Sequence, residues 1–146
     1  MKKWTDVYRP QELILHQDDR YIIVNKPAGV PSQPDKTGDM SISEWLTSHH
    51  GKSSHILSRI DRPVSGAMIF SKDGGNQTRD IKKTYVAITI PPDNSEGTLE
   101  HYLQKDGRHH KTRVVTKEQG KLSKLTYRVI QELDKYVVLE LSLIHI

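Results

Sequence analysis

The chain has no cysteine, a single phenylalanine, and no apolar run near the about 18 residues that a membrane helix needs. Without cysteine there are no disulfides and no thiolate metal sites, which fits a reducing compartment. Met1-Lys2-Lys3 is not followed by an apolar stretch, so no signal peptide is expected. These absences give the expectation of a soluble cytoplasmic protein without a membrane partner. Hydrophobic residues make up only 34% of the 146, and aromatics 6%. A thin core in one domain is expected, since domains typically run about 100–200 residues.

Positive charge is what the chain has in excess. Its formal net charge is +4, and it is unevenly spread. Between Lys105 and Lys124, seven basic residues, Lys111 and Arg113 among them, stand against Asp106 and Glu118. An anionic partner is therefore a natural expectation. The eight histidines raise the question of zinc. His49-His50 with His55, or His109-His110, could in principle ligate zinc, but adjacent histidines rarely converge on one ion from a helix or strand and the H-x-x-x-H spacing is missing, so no metal is expected.

Patterning predicts an α+β fold with a mixed, mostly antiparallel sheet and few helices. Leu13-Ile14-Leu15 and Tyr21–Val24 read as two strands joined by a turn. Pro27, Gly29, Pro31 and Pro34 impose a rigid loop. Ser41-Ile42-Ser43-Glu44 is a capping box that opens a helix ending near His49-His50-Gly51. Ala67–Phe70 and Thr84–Ile90 read as buried strands. Leu125, Tyr127 and Val129 should face Val137, Leu139, Leu141 and Leu143 across a hairpin turning at Glu132–Lys135. The strand Leu139–Leu143 is expected to leave an uncovered edge.

One segment combines charge and turn chemistry. In Leu57-Ser58-Arg59-Ile60-Asp61-Arg62-Pro63-Val64-Ser65-Gly66, a carboxylate stands between two arginines before the chain turns into the apolar run Ala67–Phe70. Taken alone, Asp61 reads as an exposed carboxylate with ordinary ion-pair partners. The segment nevertheless resembles the H-R-L-D-R-x-x-S-G motif of the RluA-type pseudouridine synthases. Three further segments are similar to that family and fall in its order. Asn25-Lys26-Pro27-Ala28-Gly29 matches N-K-P-x-G, Gln33–Asp39 is similar to a linker of stand-alone members, and Lys83-Thr84-Tyr85 matches K-x-Y.

The resemblance implies an RNA isomerase that converts uridine to pseudouridine in tRNA or rRNA without any cofactor, acting as a monomer. It implies Asp61 as the catalytic carboxylate, either attacking the nucleotide or stabilising charge at the ribose. It implies Tyr85 stacking on the extracted uracil and taking part in the final proton transfer from C5. Arg59 would fill the space the flipped base leaves, unless it merely bridges Asp61. Arg62 would contact the RNA backbone or position the loop, and Lys26 would contact phosphate or simply end its strand. Lys111 and Arg113 complete the expected RNA contacts.

Residues 1–146 would then be a single catalytic domain lacking its C-terminal part. The family continues past its L-E-L-x-L strand into an arginine segment that pairs with the catalytic Asp, whereas here Leu139–Leu143 is followed only by Ile144-His145-Ile146. Ser58 departs from the family's histidine, and Lys72–Asp80 is too short and glycine-rich for the family's helix. The competing expectations are an RNA-binding protein without catalysis, or an inactive fragment of the enzyme.

Overall fold

A computed structural model describes residues 4–50, 54–74, 81–107 and 111–144. The chain divides into two compact units, Met1–Asp80 and Ile81–Ile146. Each has its own sheet, and every strand pairing is antiparallel. Among the described residues there are two α-helices, both in the first unit, and the expected α+β class holds. Among the described residues no helix is long and apolar enough to cross a membrane.

The first unit runs through α1 (Pro10–Leu13), β1 (Ile14–Gln17), β2 (Tyr21–Lys26), α2 (Ile42–His50), β3 (His55–Ile56) and β4 (Gly66–Ser71). Its strands lie in the order β1-β2-β4-β3. Leu13, expected in a strand, instead closes α1, a single turn that Pro10 starts and the Glu12 carboxylate braces by accepting the Arg9 N–H at 2.8 Å. Period-two alternation sends Ile22, Val24 and Lys26 of β2 to one face, opposite Phe70, Met68 and Gly66 of β4. Ile42, Trp45 and Leu46 of α2 complete that core. The capping box forms as expected: Ser41 N–H donates to the Glu44 carboxylate at 2.9 Å, and Glu44 N–H donates to Ser41 Oγ at 3.3 Å. His49 turns back on the same helix, its ring 4.5 Å from that of Trp45. Among the described residues no cluster of metal-ligating side chains occurs; His109 and His110 lie outside them.

The β1–β2 turn depends on Asp18, whose carboxylate accepts the N–H groups of Arg20 at 2.8 Å and Tyr21 at 2.7 Å. These bonds hold its pKa down at about 2. The unfolded chain takes up that proton at the ordinary carboxylate value, so Asp18 stabilises the fold above about pH 4 and loses the effect as pH falls through 2. Acid titration of Asp18→Ala beside the unaltered chain checks this. The gap in melting temperature between the two should be present at pH 6 and should narrow on approaching pH 2.

The second unit contains β5 (Lys83–Thr89), β6 (Glu96–Asp106), β7 (Lys111–Val115), β8 (Lys121–Glu132) and β9 (Val137–Ile144), in the order β5-β9-β8-β6-β7. The predicted β8–β9 hairpin is present, with Leu125, Tyr127 and Val129 opposite Leu143, Leu141 and Leu139. Two expectations are corrected. The strand Leu139–Leu143 is no edge, because β9 pairs with β5 on one side and β8 on the other. The segment read as a buried strand at Thr84–Ile90 is an outer strand whose Val86, Ile88 and Ile90 are 67%, 68% and 72% exposed. After β4, residues 72–74 are not helical, and the rest of the predicted helix-free segment, 75–80, lies outside the described residues.

Candidate active site

Continuing the core alternation of β2 one step past Val24 brings Lys26 inside, where it is fully buried. Its neighbour across the ladder is Gly66, which has no side chain to compete for the space. The ammonium donates to three carbonyls: Val30 at 2.7 Å, Pro27 at 3.0 Å and Arg62 at 3.2 Å. Those bonds use all three of its protons. Burial holds the Lys26 pKa below its ordinary value, with the positive charge of Arg62 acting the same way and the negative charge of Asp61 opposing it. Of the two readings left open for Lys26, a phosphate contact and a strand end, the buried ammonium is not placed for the first. The ammonium ties the end of β2 to the loop that carries Asp61.

That loop is pinned on both sides of Asp61. The Ile60 carbonyl accepts Ser32 Oγ–H at 2.5 Å, and the Arg62 carbonyl accepts the Gly29 N–H at 2.8 Å. The Asp61 carbonyl itself accepts the Val64 N–H at 3.0 Å, turning the chain through Pro63. Two glycines make the geometry possible, Gly29 with φ +84° beside Ala28 and Gly66 with φ +142° where β4 begins. Between these fixed points the Asp61 side chain is exposed. Among the described residues neither flanking arginine forms an ion pair with it.

The arginines are engaged elsewhere. Arg59 reaches out to Gln33, with Nη1 donating to Oε1 at 3.1 Å, so the reading in which it merely bridges Asp61 is not what the fold contains. Arg62 uses its whole fork: Nε donates to the Gly29 carbonyl at 2.8 Å, Nη1 to Thr37 Oγ1 at 2.9 Å and Asp35 Oδ2 at 3.3 Å, and Nη2 to Asp39. Of its two expected roles, the geometry is that of positioning: Arg62 closes the 29–39 loop over the Asp61 loop, and a phosphate would have to displace two carboxylates to reach it.

Lys26, Arg59, Asp61 and Arg62 thus come together in the first unit, while Tyr85, Lys111 and Arg113 belong to the second. Tyr85 lies on β5 in line with Leu141, Tyr127 and Gly97. A Cβ at Gly97 would meet the Tyr127 ring at 2.9 Å, so glycine lets that ring lie where it does. On this face a groove of about 640 Å³ is lined in part by Pro91, Pro92, Leu125, Tyr127, Leu139 and Leu141. Lys111 and Arg113 are exposed on β7, and Arg113 lies 3.5 Å from the Asp106 carboxylate. The position of Lys26 was open to sequence reasoning, because Ile22-x-Val24-x-Lys26 continues one alternating face; the cross-loop clamp of Arg62 had no local signal.

The pattern of the RNA pseudouridylate synthase family matches residues 20–145, most of the chain. The chain belongs to this family. Among curated RNA pseudouridine synthases, it is 26% identical over 140 residues to ribosomal large subunit pseudouridine synthase C of Rickettsia conorii, covering 88% of this chain and 46% of that protein. It is 28% identical over 166 residues to ribosomal large subunit pseudouridine synthase D of Borreliella burgdorferi, covering 94% and 49%. The chain thus spans about half the length of the curated synthases it matches. The solved structure of human RNA pseudouridylate synthase domain containing 4 has the same fold, with a TM-score of 0.70 at 23% identity, over 92% of this chain and 60% of that one. The resemblance to RluA-type synthases drawn from the motifs is borne out at the level of family and fold.

Proposed function

We propose that this chain isomerises uridine to pseudouridine in structured RNA, with Asp61 as the reacting carboxylate and ribosomal RNA as the substrate. The observation that carries the reading is Asp61 itself. An exposed carboxylate with no ion-pair partner among the described residues stands on a loop whose two neighbouring carbonyls are held by Ser32, Gly29 and Lys26. A fixed carboxylate suits a reaction in which positive charge develops at the ribose or a covalent adduct forms there.

The C1′–N1 bond breaks, the freed uracil turns, and a C1′–C5 bond forms. The proton on C5 leaves and N1 gains one, so the product is an isomer and no outside reactant is needed. The target uridine must first leave its stack, at a cost of a few kcal/mol. Arg59, exposed and held among the described residues by neutral Gln33, is the side chain assigned to the vacated space; its planar guanidinium can stack on bases. Tyr85 is assigned to stack on the uracil and receive the C5 proton. Ribosomal RNA is favoured over transfer RNA because both bacterial relatives are named for the large ribosomal subunit.

Incubating the chain with unmodified large-subunit ribosomal RNA and, separately, with transfer RNA transcripts tests this. Mapping of pseudouridine should find it in the ribosomal RNA. Product confined to transfer RNA would overturn the substrate assignment, and RNA bound without any product would favour a binding protein.

A further inference from the structure

The five strands of the second unit sort their charges by face. Register places Lys83, Tyr85, His101, Lys105 and Lys121 on one face: Tyr85 aligns with Gly97 through Leu141 and Tyr127, and positions 99, 101, 103 and 105 of β6 alternate with Gly97, with Leu103 opposite Lys121. By register the strand carboxylate on that face is Glu132, opposite Val137 at the hairpin end, where Asp93 and Glu96 also border the groove. Glu96, Glu100, Asp106 and Glu140 all lie on the other face.

The cations of that other face are largely neutralised. Lys124 lies 2.5 Å from Glu100, Arg128 3.0 Å from Glu140 and Arg113 3.5 Å from Asp106, and Lys111 is directly opposite Asp106 in the ladder. Lys105 and Lys121 are exposed and, among the described residues, form no ion pair. Uncompensated positive charge therefore marks the Lys105 and Lys121 end of the face that carries Tyr85.

We propose that Lys105 and Lys121 bind the phosphates of the RNA strand along the Tyr85 face, and that Lys111 and Arg113, on the opposite face, do not. The inference rests on the proposed function. Its occupant is single-stranded RNA because the same face also offers Tyr127 and an apolar groove beside it, the surface on which unstacked bases settle. Removing a phosphate contact lowers affinity nearly uniformly across sequences and flattens its dependence on salt.

The test measures binding of a uridine-containing single-stranded RNA to the 146-residue chain as a function of salt, for the unaltered chain, Lys105→Ala/Lys121→Ala and Lys111→Ala/Arg113→Ala. Loss of two phosphate contacts to single-stranded RNA should reduce the slope of log K against log salt by about 1.4, or roughly sevenfold in affinity between 50 and 200 mM salt. The first pair should show that change and the second should leave the slope as it was. The reverse pattern, or equal change in both, would overturn the face assignment while leaving the functional reading intact. If the unaltered chain shows no salt-dependent RNA binding, the reading itself fails, and the inference with it.

Discussion

Asp61→Asn is expected to abolish pseudouridine formation while leaving RNA affinity within about twofold and the fold intact. The side chain is exposed, it makes no hydrogen bond or ion pair among the described residues, and the amide has the same shape, so little stability is at stake. What disappears is the negative charge. An amide can neither attack the sugar nor stabilise its developing charge, and loss of one electrostatic group at a reacting centre costs on the order of 10²–10³ in rate or more. Parallel melting curves and RNA titrations of the variant check that only turnover has been lost. Residual activity above about 1% would mean that Asp61 is not the reacting group.

Lys26→Met is expected to give the largest loss of stability of any single change around the site. Methionine keeps most of the apolar stem, but the carbonyls of Pro27, Val30 and Arg62 lose their donor together. Charged hydrogen bonds are worth roughly 1.5–3 kcal/mol each, and loss of the buried charge's own desolvation offsets part of that, leaving about 3 kcal/mol. Chemical unfolding measures the change directly. The effect also has a pH signature. Because the folded pKa is depressed, the unfolded state binds the proton more tightly between that value and 10.5, so the lysine's contribution to stability rises with pH in this window. The Met variant should lack the rise. A loss below about 1 kcal/mol would show that the three carbonyls find water instead, and that the loop holds its place without the ammonium.

These two residues also show how unevenly the sequence discloses the site. Asp61 stands out as a candidate because its motif is local: a carboxylate, two arginines, a proline and a glycine within eight residues. The strands flanking the core were legible for the same reason, since Ile22-x-Val24 and Met68-x-Phe70 alternate, and the helix announced itself through Ser41 and Glu44. Lys26 was left open between a phosphate contact and a strand end, because sequence does not show that Gly66 opposite it leaves room inside. The clamp on Arg62 joins positions 23 to 33 residues apart, across a loop whose shape depends on Gly29, and no spacing rule encodes that. Strand β6 went unseen because Glu96–Asp106 mixes charges with scattered apolar residues, and its polar face is satisfied by cross-strand ion pairs rather than by burial. The charge run Lys105–Lys124 likewise gave total charge but not direction. Only the register of β6, β7 and β8 separates the paired cations from the free ones.

A uridine-to-pseudouridine isomerisation carried by Asp61 has a direct chemical signature at C5 of the base. Its most direct test is release of tritium from ribosomal RNA labelled at uridine C5, since that hydrogen must leave when the base rejoins the sugar through C5. The unaltered chain should release tritium in proportion to pseudouridine formed, and Asp61→Asn should release none above background. Equal release by the two proteins, or none from the unaltered chain at enzyme equal to RNA, would contradict the claim.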